Sequence, residues 1–232
     1  EILEQLDGKV DTILCPIGGG GIIAGIAVAA KGINPNIKIV GVQTANIPSM
    51  QESMKNGEVT TAFKSTTIAD GIAVKTPGDV TFEIINELVD EVVVVEEDEI
   101  AQGMLFLMEN QKVVAEGAGA VTTAALLSGK YVPKKDENVV CVISGGNVDV
   151  NTLYRVIGTA LTKEARRYSF NTVIQDKPGG LAELTKIISE YDANILSANL
   201  SRSSMGGALG ILAGMSEGIK SRFLGHFFDA FL

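Results

Sequence analysis

The chain has 232 residues, 46% hydrophobic and 20% charged, enough for one large domain or a medium one with a small companion. With 28 acidic against 19 basic residues the net charge is −9, and no basic stripe offers a footprint for nucleic acid or an anionic membrane. One histidine, His226, and two cysteines, Cys15 and Cys141, outside any CxxC pair exclude zinc sites and histidine-based triads, and predict two buried thiols in a reducing cytoplasm.

No stretch reads as a signal peptide, and no apolar run reaches the roughly 18 residues of a membrane helix. The opening EILEQLDGKV reads as a helix tail running into a strand, without Met or a helix cap, so a preceding segment is expected. Continuous apolar runs at Val10–Ile17, Lys38–Thr44, Glu91–Glu97 and Asn138–Ser144 predict strands buried on both faces. Helical periodicity predicts helices at Ile22–Lys31, Ser49–Asn56, Asp79–Val89, Glu97–Gln111, Ala115–Ser128 and Val150–Leu161. Asp98 and Glu99 suit a first turn, and Gly129 suits the position after a last one. Alternating strands and helices predict an α/β fold with an open, mostly parallel, doubly wound sheet, whose ligands sit beyond the carboxyl ends of the strands.

Near Lys163–Arg167 the pattern changes, which places a domain boundary at about residue 164 and divides the chain into 1–164 and 165–232. Arg166–Gln175 alternates as a half-exposed strand, with Tyr168, Phe170, Thr172 and Ile174 on one side. Pro178 and Gly179 then make a turn, Leu181, Leu184, Ile187 and Ile188 a helix stripe, and Ile195–Leu200 a second strand. The continuation MGGALGILAGMSEGIKSRFLGHFFDAFL is glycine-spotted and then aromatic, and does not continue the alternation. Both a divergent tail and a changed reading frame after about Ser203 fit it. Phe223, Phe227, Phe228 and Phe231, at helical spacing, suit packing rather than binding.

The strongest local signal is Gly18, Gly19, Gly20 and Gly21, four glycines in a row between a strand and a helix. Backbone N–H groups there, unscreened by side chains, converge on an anion at the positive end of the helix. A nucleotide P-loop requires GxxxxGK[ST], and no Lys-Ser or Lys-Thr follows Gly25. A dinucleotide fingerprint is formally met by Gly19, Gly21 and Ala24, but the next strand ends in Gln43 and Thr44 where a ribose-binding acid belongs. A single phosphate on a cofactor such as pyridoxal phosphate, or a glycine-rich turn without ligand, remains. Ser144, Gly145, Gly146 and Asn147 follow another buried strand on the same edge, which suits one flat ligand held by a phosphate at one end and a ring atom at the other.

PIGGGGIIAGIA, TIADGIAV at 67–74, VVAEGAGA at 113–120 and VISGGNVD at 142–149 together resemble the catalytic domain of threonine dehydratases (threonine ammonia-lyases). These are pyridoxal-phosphate enzymes of the tryptophan-synthase-β-like fold type; serine racemases and serine dehydratases share most of the segments. RRYSFNTVIQDKPGGLAELTKIISEYDANIL resembles an ACT domain, a small ferredoxin-like amino-acid-sensing unit. The resemblance implies conversion of L-threonine to 2-oxobutanoate and ammonia, with L-serine to pyruvate as a side activity. It also implies a role in amino-acid metabolism such as isoleucine biosynthesis, a cytoplasmic homo-oligomer, and an amino-acid effector at the ACT-like unit.

By the same resemblance, Gly18–Gly21 bind the cofactor phosphate, and Ser144, with Gly145 beside it, meets the pyridine nitrogen. A hydroxyl partner leaves that nitrogen largely unprotonated, which suffices for β-elimination because the departing hydroxyl drains the charge from Cα. Glu116 would lie near the ring, though an acid at a helix N-terminus fits it equally. Gly71 and Asp70 match a segment bordering the active site that binds a cation in some relatives; an Asp-Gly turn explains them as well. The family's Ser-Phe-Lys-type motif, whose lysine forms a Schiff base with the cofactor, is absent from this sequence. Lys31, Lys38, Lys55, Lys64, Lys75 and Lys112 all stand in ordinary polar contexts, so these residues alone are expected to be catalytically inactive.

Overall fold

The structure, a computed structural model, describes residues 1–63, 66–190, 193–202 and 207–215. Lys64, His226 and the aromatic tail with Phe223, Phe227, Phe228 and Phe231 lie outside the described residues. The chain divides into two compact units, Glu1–Ile157 and Gly158–Leu232.

The first unit runs α1 (Ile2–Gln5), β1 (Thr12–Pro16), α2 (Gly21–Ile33), β2 (Lys38–Thr44), α3 (Ser49–Asn56), a 3-10 turn (Asp70–Ile72) and α4 (Asp79–Leu88). It continues through β3 (Glu91–Val95), α5 (Glu97–Phe106), α6 (Gly117–Leu127) and β4 (Val139–Cys141) to α7 (Val150–Lys163), within which the division between the units falls. The strands form one sheet in the order β3-β2-β1-β4, every neighbour parallel. Among the described residues no helix is long and apolar enough to cross a membrane.

The unbroken apolar strands are explained by a core on each face of the sheet. Ile13, Cys15 and Ile17 pack with Ile23 and Ala27 of α2 and Phe82 and Ile85 of α4. Leu14, with Val40 and Val42 of β2, packs with Ile100 of α5 and Val121 and Ala124 of α6. Each fully buried Ile or Leu contributes about 1.5–3 kcal/mol, so the alternating faces of β1 hold both helix layers to the sheet. Gly41 in β2 is a packing residue: a Cβ there would overlap Ile17 Cδ1 and sit 3.2 Å from Ile23 Cδ1.

Several boundaries differ from the sequence reading, three of them near the site. β4 stops at Cys141 rather than Ser144; only Val142 N–H still reaches Leu14 O at 3.0 Å, and the chain then turns away toward α6. The helix expected over Glu97–Gln111 leaves α geometry at Leu107 for a π-turn that ends at Lys112, φ +58°. The helix expected from Ala115 starts at Gly117, because Glu116 is extended (φ −73°, ψ 169°) and serves as its cap. Conversely, Glu96 and Glu99 form a reciprocal capping box at the start of α5, in line with the acidic first turn.

The second unit contains β5 (Arg167–Gln175), α8 (Gly180–Ser189), β6 (Asn194–Arg202) and β7 (Gly207–Met215). Its sheet has the order β5-β7-β6, with β7 antiparallel to both neighbours. Residues 207–215, in the glycine-spotted stretch that breaks the side-chain alternation, form its central strand. Ladders on both sides supply the order that glycines in a strand forfeit. Leu184 and Ile188 of α8 are buried, whereas Leu181, expected in the same stripe, is 39% exposed at the start of the helix.

Candidate functional site

The polypeptide leaves β1 at Pro16, keeps one sheet bond from Ile17 N–H to Val42 O (2.9 Å), and turns through the glycines into α2. Gly20 holds φ +94°, and a Cβ there would lie 2.7 Å from Ile85 Cδ1 and 3.0 Å from Thr81 Cβ. A Cβ on Gly18 would lie 3.1 Å from Ile72 Cα and 3.3 Å from Val74 Cγ2. The turn is thus seated between α4 and the segment after the 3-10 turn, and both glycines are required by space or conformation. The first bond into α2 runs from Ala24 N–H to Gly20 O at 3.0 Å, so the N–H groups of Gly21, Ile22 and Ile23 have no partner inside the helix.

The facing wall comes from the start of α6. Glu116 donates its N–H to Gly145 O (3.1 Å), and its Oε2 accepts Asn147 N–H (3.1 Å), which ties the Ser-Gly-Gly-Asn turn to the helix start. A Cβ on Gly71 would sit 3.2 Å from Glu116 Oε1, and one on Gly145 would overlap that carboxylate. Gly117 and Gly119 are closed against the carbonyls of Ile68 and Gly145 in the same way. Three segments distant in sequence are locked together with almost no side-chain volume between them.

These walls enclose a cavity of about 200 Å³ lined by Gly18, Gly19, Gly20, Gly21, Gly71, Glu116 and Ser144, together with Pro16, Ile22, Ile72 and Ala118. Gly145 stands behind the lining, against Glu116. Asp70 is exposed and outside the cavity; its Oδ1 accepts Gly71 N–H at 2.9 Å, the geometry of an Asp-Gly turn. Among the described residues no group of three metal-ligating side chains converges, and none of the lysines lines the cavity. Lys31 pairs with Asp90 at 2.8 Å and Lys38 with Glu91 at 2.7 Å. Burial pushes the Cys15 thiol up to about 12 and Cys141 up to about 11, so neither is a nucleophile at neutral pH.

Several polar groups that shape the site carry no motif in the sequence. Glu97, the first residue of α5, accepts Thr44 Oγ1–H at 3.0 Å and Ile68 N–H at 2.7 Å, fastening the 66–72 segment to the end of β2. Ser49 Oγ–H donates to Val74 O at 2.7 Å, and Thr81 Oγ1–H to Gly19 O at 2.6 Å. These partners lie 25 to 62 positions apart, so no local signal could have paired them.

The cavity suits pyridoxal phosphate. The cup of Cβ-free backbone at the N-terminus of a 13-residue helix matches a phosphate, and Ser144, a hydroxyl residue in the same lining, matches a ring nitrogen. Residues 1–145 match the family described as pyridoxal-phosphate dependent enzyme. The chain is 49% identical over 204 residues to the L-threonine ammonia-lyase of Thermotoga maritima, covering 88% of this chain and 50% of that protein. Its structure is similar to the processed form of threonine deaminase isoform 2 from Solanum lycopersicum (TM-score 0.63, 34% identity, 68% of this chain and 46% of that one). It is also similar to maize serine racemase (TM-score 0.62, 36% identity, 71% and 50%). The chain spans about half the length of the curated relatives it matches. With its parallel sheet, its glycine cup and this match, the chain belongs to the pyridoxal-phosphate dependent enzymes of the tryptophan-synthase-β-like fold.

Proposed function

We propose that these residues supply the phosphate-binding and ring-binding half of an L-threonine ammonia-lyase site, which yields 2-oxobutanoate and ammonia, and pyruvate from L-serine. The observation that carries the reading is the convergence of Gly18–Gly21, Gly71, Glu116 and Ser144 on one cavity. Close identity to the Thermotoga maritima ammonia-lyase supports threonine as substrate. When bound, pyridoxal phosphate supplies an electron sink for the charge left at Cα on proton removal. Gly18–Gly21 would hold its phosphate through backbone N–H groups and Ser144 its ring nitrogen through a neutral hydrogen bond. Glu116, held by Asn147 N–H and facing Gly71, would border the ring as a fixed carboxylate.

The chemistry also needs a lysine that this sequence does not carry in the family's motif. The chain by itself therefore binds pyridoxal phosphate without covalent attachment: borohydride leaves no fixed chromophore. An extended form carrying the Ser-x-Lys segment releases 2-oxobutanoate from L-threonine, measured as its hydrazone. Absence of 2-oxoacid release from that form would overturn the assignment. Likeness to maize serine racemase supports a second reading, in which the extended form racemises L-serine; chiral chromatography of the serine pool separates the two.

For residues 165–232 the proposal is an ACT-like amino-acid-binding unit in a cytoplasmic homo-oligomer. The β5-α8-β6-β7 succession, with β7 inserted antiparallel between β5 and β6, supports the ferredoxin-like pattern. Titration of the whole chain with threonine, serine, isoleucine and valine tests the effector, and light scattering the oligomer. A heat signal from none of the four would sink the sensing role.

A further inference from the structure

A run of four glycines has a weakness as well as a use. Without side chains its peptide planes rotate at little cost, and each rotation exchanges an inward N–H for an inward C=O. A carbonyl turned into the cup would repel the phosphate that an N–H attracts. Something outside the loop has to choose the orientation.

Two buried or half-buried side chains are placed to do so. Thr81, the third residue of α4, points its hydroxyl at Gly19 O (2.6 Å); Gly78 O lies at 2.9 Å, and the single hydroxyl proton serves the closer acceptor. Gln43, fully buried at the end of β2, extends Nε2 to Ile17 O at 3.4 Å. Its Oε1 accepts Gln51 N–H at 3.0 Å, which fixes the amide's orientation. Neither side chain lines the cavity; both lie behind the loop. Every peptide in the described chain is trans, so the C=O of one residue and the N–H of the next point in opposite directions. Pulling Gly19 O back onto Thr81 aims Gly20 N–H forward, and pulling Ile17 O back onto Gln43 aims Gly18 N–H forward.

We propose that Thr81 and Gln43 are positioning residues that hold the Ile17 and Gly19 carbonyls away from the cavity, so that the Gly18 and Gly20 amides face the cofactor phosphate. The proposal rests on reading the glycine loop as the phosphate cup. It also gives a task to Gln43, which stands where a dinucleotide site would carry its acid.

The test measures binding of inorganic phosphate and of pyridoxal 5′-phosphate to the whole chain by calorimetry, with the Gly18 and Gly20 amide resonances followed by NMR. Thr81→Val, which keeps the shape and removes the donor, weakens both ligands about tenfold or more, whereas Thr81→Ser stays within about threefold of the parent. Gln43→Met acts in the same direction with a smaller effect, in keeping with its longer bond. In the parent, phosphate moves the Gly18 and Gly20 amide protons downfield; in Thr81→Val the Gly20 response is lost. Equal affinity of parent and Thr81→Val overturns the positioning role while leaving the cup intact. If Thr81→Val does not fold, parent amides that stay unmoved as phosphate binds overturn it equally. A parent that binds neither ligand removes the phosphate cup itself, and the positioning role with it.

Discussion

Gly20 combines two constraints that no other residue type meets together. Its φ of +94° is strained for a side chain, and its Cβ direction is filled by Ile85, Thr81 and Met50. Gly20→Ala is expected to cost about 1–3 kcal/mol in urea unfolding and to abolish phosphate binding by calorimetry, since the loop must tilt away from α4. Glu137 is a second informative residue, at the opposite end of the sheet. Its carboxylate accepts hydroxyl hydrogen bonds from Thr12 (2.5 Å) and Tyr131 (2.5 Å) and the Lys134 N–H (2.6 Å). Those bonds, Thr12 first, hold its pKa down from 4.5 to about 2. A depressed carboxylate pKa contributes stability that is present above the unfolded value and lost as pH falls through the folded one. The thermal midpoint of the parent should therefore fall more steeply between pH 5 and 2 than that of Glu137→Gln, and identical slopes would remove Glu137 from the acid response.

Among the elements, the 66–72 segment depends on contacts from elsewhere. It carries little regular structure beyond the 3-10 turn, yet it supplies Gly71 to the cavity and Ile72 beneath Gly18. Glu97 holds it by accepting Ile68 N–H, and Ile68 O in turn closes over Gly117 at the start of α6. Glu97→Ala leaves that amide and Thr44 without their acceptor, a loss of about 1–3 kcal/mol. Hydrogen exchange at Ile68 and Ala69 should quicken well beyond that of β1 and β2; unchanged protection would show that packing alone holds the segment. Helix propensity explains less here than close approach does. α6 opens with Gly117-Ala118-Gly119-Ala120, a poor start for an isolated helix, because Gly145 and Ile68 carbonyls occupy the space of side chains.

At the level of the whole molecule, the two units have sheets of different kinds, one parallel and covered on both faces, the other antiparallel. Each should therefore respond separately to damage. Ile211 sits in β7 opposite Asn171 on one side and Asn199 on the other. Proline there removes a ladder donor from a central strand, so Ile211→Pro should lose the antiparallel sheet while pyridoxal phosphate binding by the first unit persists. Loss of both together would mean that the units fold as one.

Periodicity and residue chemistry in the linear sequence determined the order of strands and helices in the first unit, the parallel α/β class, and the glycine loop and Ser144 turn of the cavity, while the Gly71 and Glu116 segments were singled out by the family resemblance. Those properties are local: buried strands read as apolar runs, and a glycine run between a strand and a helix reads as a candidate anion cup. The four motifs that resembled threonine dehydratases also lie within short windows. Tertiary structure alone decided which polar side chains hold the loop, because Thr81, Gln43, Glu97 and their acceptors meet only across the sheet and carry no spacing rule. It also decided that Gly145 backs Glu116 rather than lining the cavity, and that β4 ends before Ser144, since both follow from α6 pressing on the turn. The same holds for the glycine-spotted 207–215, whose place as a central strand comes from two neighbouring ladders rather than from its own side-chain pattern.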